Sequence, residues 1–151
     1  MILAWLFLLL QLHLLQNVSA EHSCPSDILY DLLPYRCECE ILAANTTSDR
    51  RPFLNISCHE IPLDTVIPYL ENYSVQSLRL TWCSATTLDK QLSQLKELCE
   101  LSLRGCGIKT IHPEAFSSFS STLEKLDLNY NEITSLPTFS HKMKALTEIG
   151  L

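Results

Sequence analysis

The chain has 151 residues and only three glycines. A fold built on a glycine-rich phosphate loop needs more, and Gly105-Cys106-Gly107 stands alone, with no third glycine and no Lys-Ser/Thr after it. Basic charge is also scarce. Eleven Lys and Arg face seventeen Asp and Glu, a net charge of -6. No local basic stripe relieves that balance, so nucleic acid is excluded as a general partner. Histidines beyond residue 20 are His22, His59, His112 and His141, no two of them close in sequence. No Cys/His pair has the convergence a nucleophile and its base require. The chain is therefore read as a non-enzyme, with no catalytic, cofactor-binding or metal residues and no cofactor. After residue 20 no segment approaches the ~20 apolar residues of a membrane span.

What is present begins at the N-terminus. Residues 1–20 carry no Asp, Glu, Lys or Arg. Ile2 to Leu15 is an apolar run broken only by Gln11 and His13, and Val18-Ser19-Ala20 supplies small residues before Glu21. That segment structure marks 1–20 as a secretory signal, with the mature chain starting at Glu21. No Lys or Arg precedes the apolar run, and an uncleaved signal anchor is the other reading. Export predicts a protein that is secreted or on the outer side of the plasma membrane, where cysteines are disulfides by default. Three sequons agree: Asn45-Thr46-Thr47, Asn55-Ile56-Ser57 and Asn72-Tyr73-Ser74. Asn45, Asn55 and Asn72 are expected to be glycosylated.

An internal repeat governs the second half. Leu78-x-Leu80-x-x-Cys83 recurs as Leu101-x-Leu103-x-x-Cys106-x-Ile108 and again as Leu126-x-Leu128-x-x-Asn131-x-Ile133. A fourth copy begins at Leu146 and stops at Ile149-Gly150-Leu151. The leading residues fall at 78, 101, 126 and 149, in steps of 23, 25 and 23. Each Leu-x-Leu pair alternates with period two, as a half-buried strand should. Leu88, Leu92 and Leu95 follow helical spacing after the first strand. Ile111, Ala115, Phe116 and Phe119 fill the same stretch of the second copy. Leu54, Ile56 and Cys58 alternate likewise, predicting a strand over 53–58 with Asn55 and Ser57 outward.

The pattern L-x-x-L-x-L-x-x-N/C-x-L resembles the leucine-rich-repeat family over residues 75–151. Ile-His-Pro-Glu-Ala-Phe, residues 111–116, is similar to its extracellular class. The fold class implied is an α/β solenoid with a parallel concave sheet, divided into a cysteine-rich cap over 21–70 and repeats over 71–151. In the family's Asn/Cys position, the Asn131 amide would satisfy strand-end backbone groups of adjacent repeats. Cys83 and Cys106 take that position in the first two copies. Both are read as buried, inert thiols, because stacked side chains point in parallel; a disulfide between them is the alternative.

Cys24, Cys37, Cys39 and Cys58 precede the repeats in the order C…C-x-C…C, which resembles the family's N-terminal cap. That resemblance implies the pairs Cys24–Cys39 and Cys37–Cys58, whereas the sequence itself allows three connectivities. Twelve residues separate the first two cysteines and eighteen the last two, wider than the compact form, so 40–52 reads as an insertion. The competing reading is zinc on Cys37, Cys39, Cys58 and His59, but C-x-C is tighter than the usual ligand spacing. Ile67-Pro68 is expected to lead towards the first repeat. The seventh cysteine is odd, and Cys99, on the exposed side just before a strand, is the candidate free thiol.

Binding information lies in the outward residues. Trp82 and Tyr130 occupy equivalent places two strands apart with Gly105 between them, rimmed by Arg79, Arg104 and Asp127, similar to an interface hot spot. The resemblance implies extracellular recognition of a protein ligand through the concave face, as part of a receptor or adhesion protein. The alternatives are a secreted matrix protein or a non-catalytic module of a larger secreted enzyme. A membrane enters only through a downstream segment not present here. The fourth copy stops within its strand, so the chain reads as an N-terminal fragment. Leu126, Leu128, Ile133 and Leu136 are then expected to be poorly covered, with fraying from about residue 137 or association through that end.

Overall fold

The computed structural model describes Cys24 and residues 36–42, 53–139 and 142–151. The expected signal segment, Asn45, His22 and His141 lie outside them. Six strands form one sheet: β1 (Glu38–Leu42), β2 (Phe53–His59), β3 (Ser74–Thr81), β5 (Glu100–Arg104), β7 (Lys125–Asp127) and β8 (Glu148–Gly150), in that spatial order. β1 pairs antiparallel with β2, and every later pair is parallel. A parallel ladder of equal repeats sets like residue beside like. Ile56, Leu78, Leu101, Leu126 and Ile149 accordingly form one row across five strands. The adjoining inward row runs Cys58, Leu80, Leu103, and all of these save Ile149 are buried.

The returning segments close the other side of the core. Two short strands, β4 (Thr87–Leu88) and β6 (Thr110–Ile111), pair in parallel, and each is followed by a 3₁₀ turn, Lys90–Gln94 and Ser117–Phe119. Leu88, Leu92 and Leu95 are buried as helical spacing predicts, but no α-helix carries them. The Asp89 side chain accepts from the Gln91 N–H and opens a tight turn instead, which suits a short return. Phe116 packs on Phe119 and Phe139, with centroids 6.0 and 5.5 Å apart.

The one described α-helix, α1 (Leu63–Leu70), lies between the cap strand and β3. Ile67 and Pro68 lie inside it, on the way to the first repeat. Leu63, Val66, Ile67 and Leu70 form an apolar stripe at i, i+3, i+4 and i+7, all buried. Pro68 is exposed near the end of this short helix, where a missing N–H costs a single bond. Coverage of the third copy is corrected in part as well. β8 pairs along β7 and leaves Leu126 and Leu128 buried, Ile133 half-buried and Leu136 exposed.

Disulfides join Cys24 to Cys39, Cys37 to Cys58 and Cys83 to Cys106, and Cys99 is free. With Cys37, Cys39 and Cys58 oxidised, no thiolate remains for the zinc reading. Cys37–Cys58 ties the chain entering β1 to the end of β2. The reading of Cys83 and Cys106 as inert thiols was mistaken. Both stand beyond the ends of β3 and β5, where the backbone has left the strand, so their side chains are free to converge. One repeat later, Asn131 holds the same position with its amide. Its Oδ1 accepts from Cys106 and Ile108 N–H at 2.9 and 3.1 Å, and its Nδ2 donates to Leu103 and Leu128 carbonyls at 2.6 and 2.7 Å.

Candidate protein-recognition face

Outward residues of the strands stand in cross-strand rows. One row is Glu40, Asn55, Ser77, Glu100, Lys125 and Glu148; the next is Glu38, Ser57, Arg79, Ser102, Asp127 and Gly150. The charges answer one another between neighbouring strands, diagonally in Arg79–Glu100 and Arg104–Asp127 and directly across in Lys125–Glu148. Arg79 Nη2 donates to both Glu100 oxygens at 3.0 and 2.8 Å, and Ser77 Oγ donates to the same carboxylate. Arg104 Nη1 donates to Asp127 Oδ2 at 3.1 Å, and Lys125 lies 3.8 Å from Glu148.

These partners shift the acids. The Arg79 hydrogen bond, against the pull of burial, holds the Glu100 carboxyl below its ordinary range, and Glu100 raises Arg79 in return. At Asp127 burial works upward, but the Asn129 amides and Arg104 outweigh it, and the net direction is down. Both acids therefore ionise more readily folded than unfolded. Their stabilisation is complete above the usual carboxylate range, about pH 4, and is lost as pH falls through the lowered values. Glu100→Gln should flatten the acid limb of the stability curve, measured as denaturant midpoints between about pH 7 and pH 3. An unchanged slope would show that the pair is not coupled to folding.

Trp82, Gly105 and Tyr130 are not strand residues. Each stands beyond the C-terminal end of its strand with positive φ: 55°, 65° and 61°. Glu60, after β2, is a fourth such position at φ 57°. The Glu60, Trp82 and Gly105 N–H groups donate to the Thr81, Arg104 and Asn129 carbonyls at 2.9, 2.8 and 3.1 Å, extending the ladder through the turns. That pairing holds the left-handed backbone in place even where the side chain is bulky. Trp82 is 64% exposed and Tyr130 75%. The gap at Gly105 is not open, since the six-membered ring of Trp82 lies across it. A Cβ there would come 2.8 Å from Trp82 Cε3. Arg104 stacks over the Tyr130 ring at 5.2 Å from its centroid.

Of the five residues singled out from the sequence, then, Arg104, Asp127 and Tyr130 touch in series. Trp82 joins them through Gly105. Arg79 turns instead to Glu100. Sequence reasoning missed Glu60, although Ile56-x-Cys58-x-Glu60 aligns with Leu78-x-Leu80-x-Trp82 once the repeat is extended backward into the cap. Gly105→Ala should cost about 1–2 kcal/mol through left-handed strain alone, and should displace the Trp82 ring. Denaturant unfolding and Trp82 emission would register the two effects.

Asn55 donates to Glu40 Oε2 at 3.3 Å on the outward side of β2, and Asn72 is exposed in the turn before β3. Cys99, half-buried, does not have a reactive thiol's surroundings. Burial pushes its thiol up, which the Gln76 hydrogen bond opposes and Glu124 and Glu97 reinforce.

A mostly parallel sheet of equal repeats, backed by short returns and joined by disulfides, defines an α/β repeat protein. Residues 96–151, holding the second to fourth copies, match the family model described as Leucine rich repeat. No solved structure matches the chain.

Proposed function

We propose that this chain is an extracellular recognition module of receptor or adhesion type, with a cap over 21–70 and repeats over 71–151. It recognises a protein partner through the concave sheet face and the turn row at its C-terminal edge. One observation carries the reading: two large aromatics, Trp82 and Tyr130, stand exposed at left-handed positions that disfavour them. A non-glycine residue there costs roughly 1–2 kcal/mol, and such strain gathers at functional sites. Leucine-rich repeats commonly bind proteins, and three disulfides fit an oxidising compartment. Glycans on Asn55 and Asn72 would cover the cap strand and the strands' N-terminal side, leaving the turn row open.

The test is Trp82→Gly. It relieves left-handed strain, so folding stability should hold or rise by up to about 1 kcal/mol. Affinity for a partner selected with the wild-type chain from a library of extracellular domains should fall about thirtyfold, the factor for a 2 kcal/mol hot spot. Affinity within about twofold of wild type, with the fold intact, would remove Trp82 from the interface.

A further inference from the structure

The geometry points to Trp82 as the receiver of a basic side chain from the protein partner, with the Glu60 carboxylate as its counter-charge. The inference rests on the reading of Trp82 as a contact residue. It begins from an arrangement the face already contains. At Tyr130 an aromatic ring, a guanidinium and a carboxylate stand in series: Arg104 lies 5.2 Å over the ring and is tethered to Asp127 at 3.1 Å.

At Trp82 the ring and the carboxylate are present. His59 pairs with Thr81 in the β2–β3 register, so the left-handed residues that follow, Glu60 and Trp82, stand side by side. Parallel neighbours are about 4.8 Å apart, and the Glu60 N–H donates to the Thr81 carbonyl. The Glu60 side chain is 67% exposed, with Oε1 3.6 Å from His59 Nε2. The indole rests on Gly105, and the rest of it is open to solvent.

The missing member is the cation. Arg79, Arg104 and Lys125 on the sheet are committed to Glu100, Asp127 and Glu148. Among the described residues at the β1–β2 end, Arg36 and His59 are the bases, His59 lying against Glu60 itself, and Glu38, Glu40 and Glu60 outnumber them. A net charge of -6 steers a basic partner towards the chain. Tryptophan is also the best aromatic platform for a cation. The partner surface that fits this end of the row is a protein loop carrying arginine or lysine.

Trp5 and Trp82 are the two tryptophans, and Trp5 lies in the expected signal segment, so the mature chain reports from Trp82 alone. It would be titrated with acetyl-Gly-Arg-Arg-Gly-amide and with peptides carrying norleucine or glutamate in place of arginine. The arginine peptide should saturate the emission change about two- to fivefold tighter than the norleucine peptide, as an exposed cation–π contact requires. Glu60→Gln and added salt should each erode that advantage. Equal binding of arginine and norleucine, no saturable response, or an advantage unchanged in Glu60→Gln would each overturn the inference. None of these results touches the broader reading, which fails separately if Trp82→Gly leaves partner affinity intact.

Discussion

Asn131→Ala should destabilise the protein by about 2–6 kcal/mol, the sum of its four shorter hydrogen bonds at roughly 0.5–1.5 kcal/mol each, with a fifth to the Asn129 carbonyl stretched to 3.4 Å. The size follows from what the amide serves. Its oxygen takes two N–H groups, from Cys106 and Ile108, and its nitrogen serves two carbonyls, Leu103 and Leu128, all close to strand ends. Leu103, Cys106, Ile108 and Leu128 are all buried residues, so their backbone groups have little water to turn to. An orphaned buried group costs its full desolvation, which places the expected loss in the upper half of the range. Asn131→Asp separates the two functions. It keeps an acceptor for the N–H pair but sets a carboxylate against two carbonyl oxygens, so at neutral pH it should be no better than alanine. Denaturant unfolding checks both variants. A loss below about 1 kcal/mol for alanine would mean that water replaces the amide.

The register of the sheet could be read before the structure because it depends on one quantity, the distance between like residues. Steps of 23, 25 and 23 bring Leu78, Leu101, Leu126 and Ile149 into one row, as a parallel ladder requires. Features that depend on where the chain leaves the strand were hidden. Trp82 and Tyr130 look like outward strand residues, because alternation carries no mark of where a strand ends, and only Gly105 hints at positive φ. The apolar stripe from Leu63 to Leu70 carries a helix through Pro68, which the expectation for Ile67-Pro68 did not specify. The ion pairs follow a rule that is legible only once the register is known. In Arg79–Glu100, Lys90–Glu114, Arg104–Asp127, Lys109–Glu132 and Lys125–Glu148 the base belongs to the earlier repeat and the acid to the later. Each repeat thus presents opposite charge to its two neighbours, which favours one order of stacking. The aromatic pair was found from the sequence, but its footing was not: Trp82 leans on Gly105, and Tyr130 carries Arg104.

Replacing Cys83 and Cys106 together by Ser should cost about 3 kcal/mol, the loop-closure value for the sequence separation of 23 that the bridge spans. The position gives this bridge a second consequence. Cys83 follows Trp82 and Cys106 follows Gly105, so the disulfide joins the two left-handed turns on which the indole rests. The serine pair should therefore loosen Trp82 as well as destabilise the fold, seen as lower fluorescence anisotropy of the mature chain, in which Trp82 is the one tryptophan. A sharper comparison is Cys83→Ala with Cys106→Asn. Asn131 shows that an amide at this point of the repeat can serve strand-end groups on two neighbours. An amide at 106 should recover about 1–2 kcal/mol of the loss, as one or two regained bonds would. Recovery of stability without recovery of anisotropy would separate the two roles, the amide mending the strand ends while only the covalent link holds the indole still. If the asparagine variant is no more stable than the serine pair, the turn at 106 is shaped for sulfur, and the amide ladder cannot be extended by one repeat.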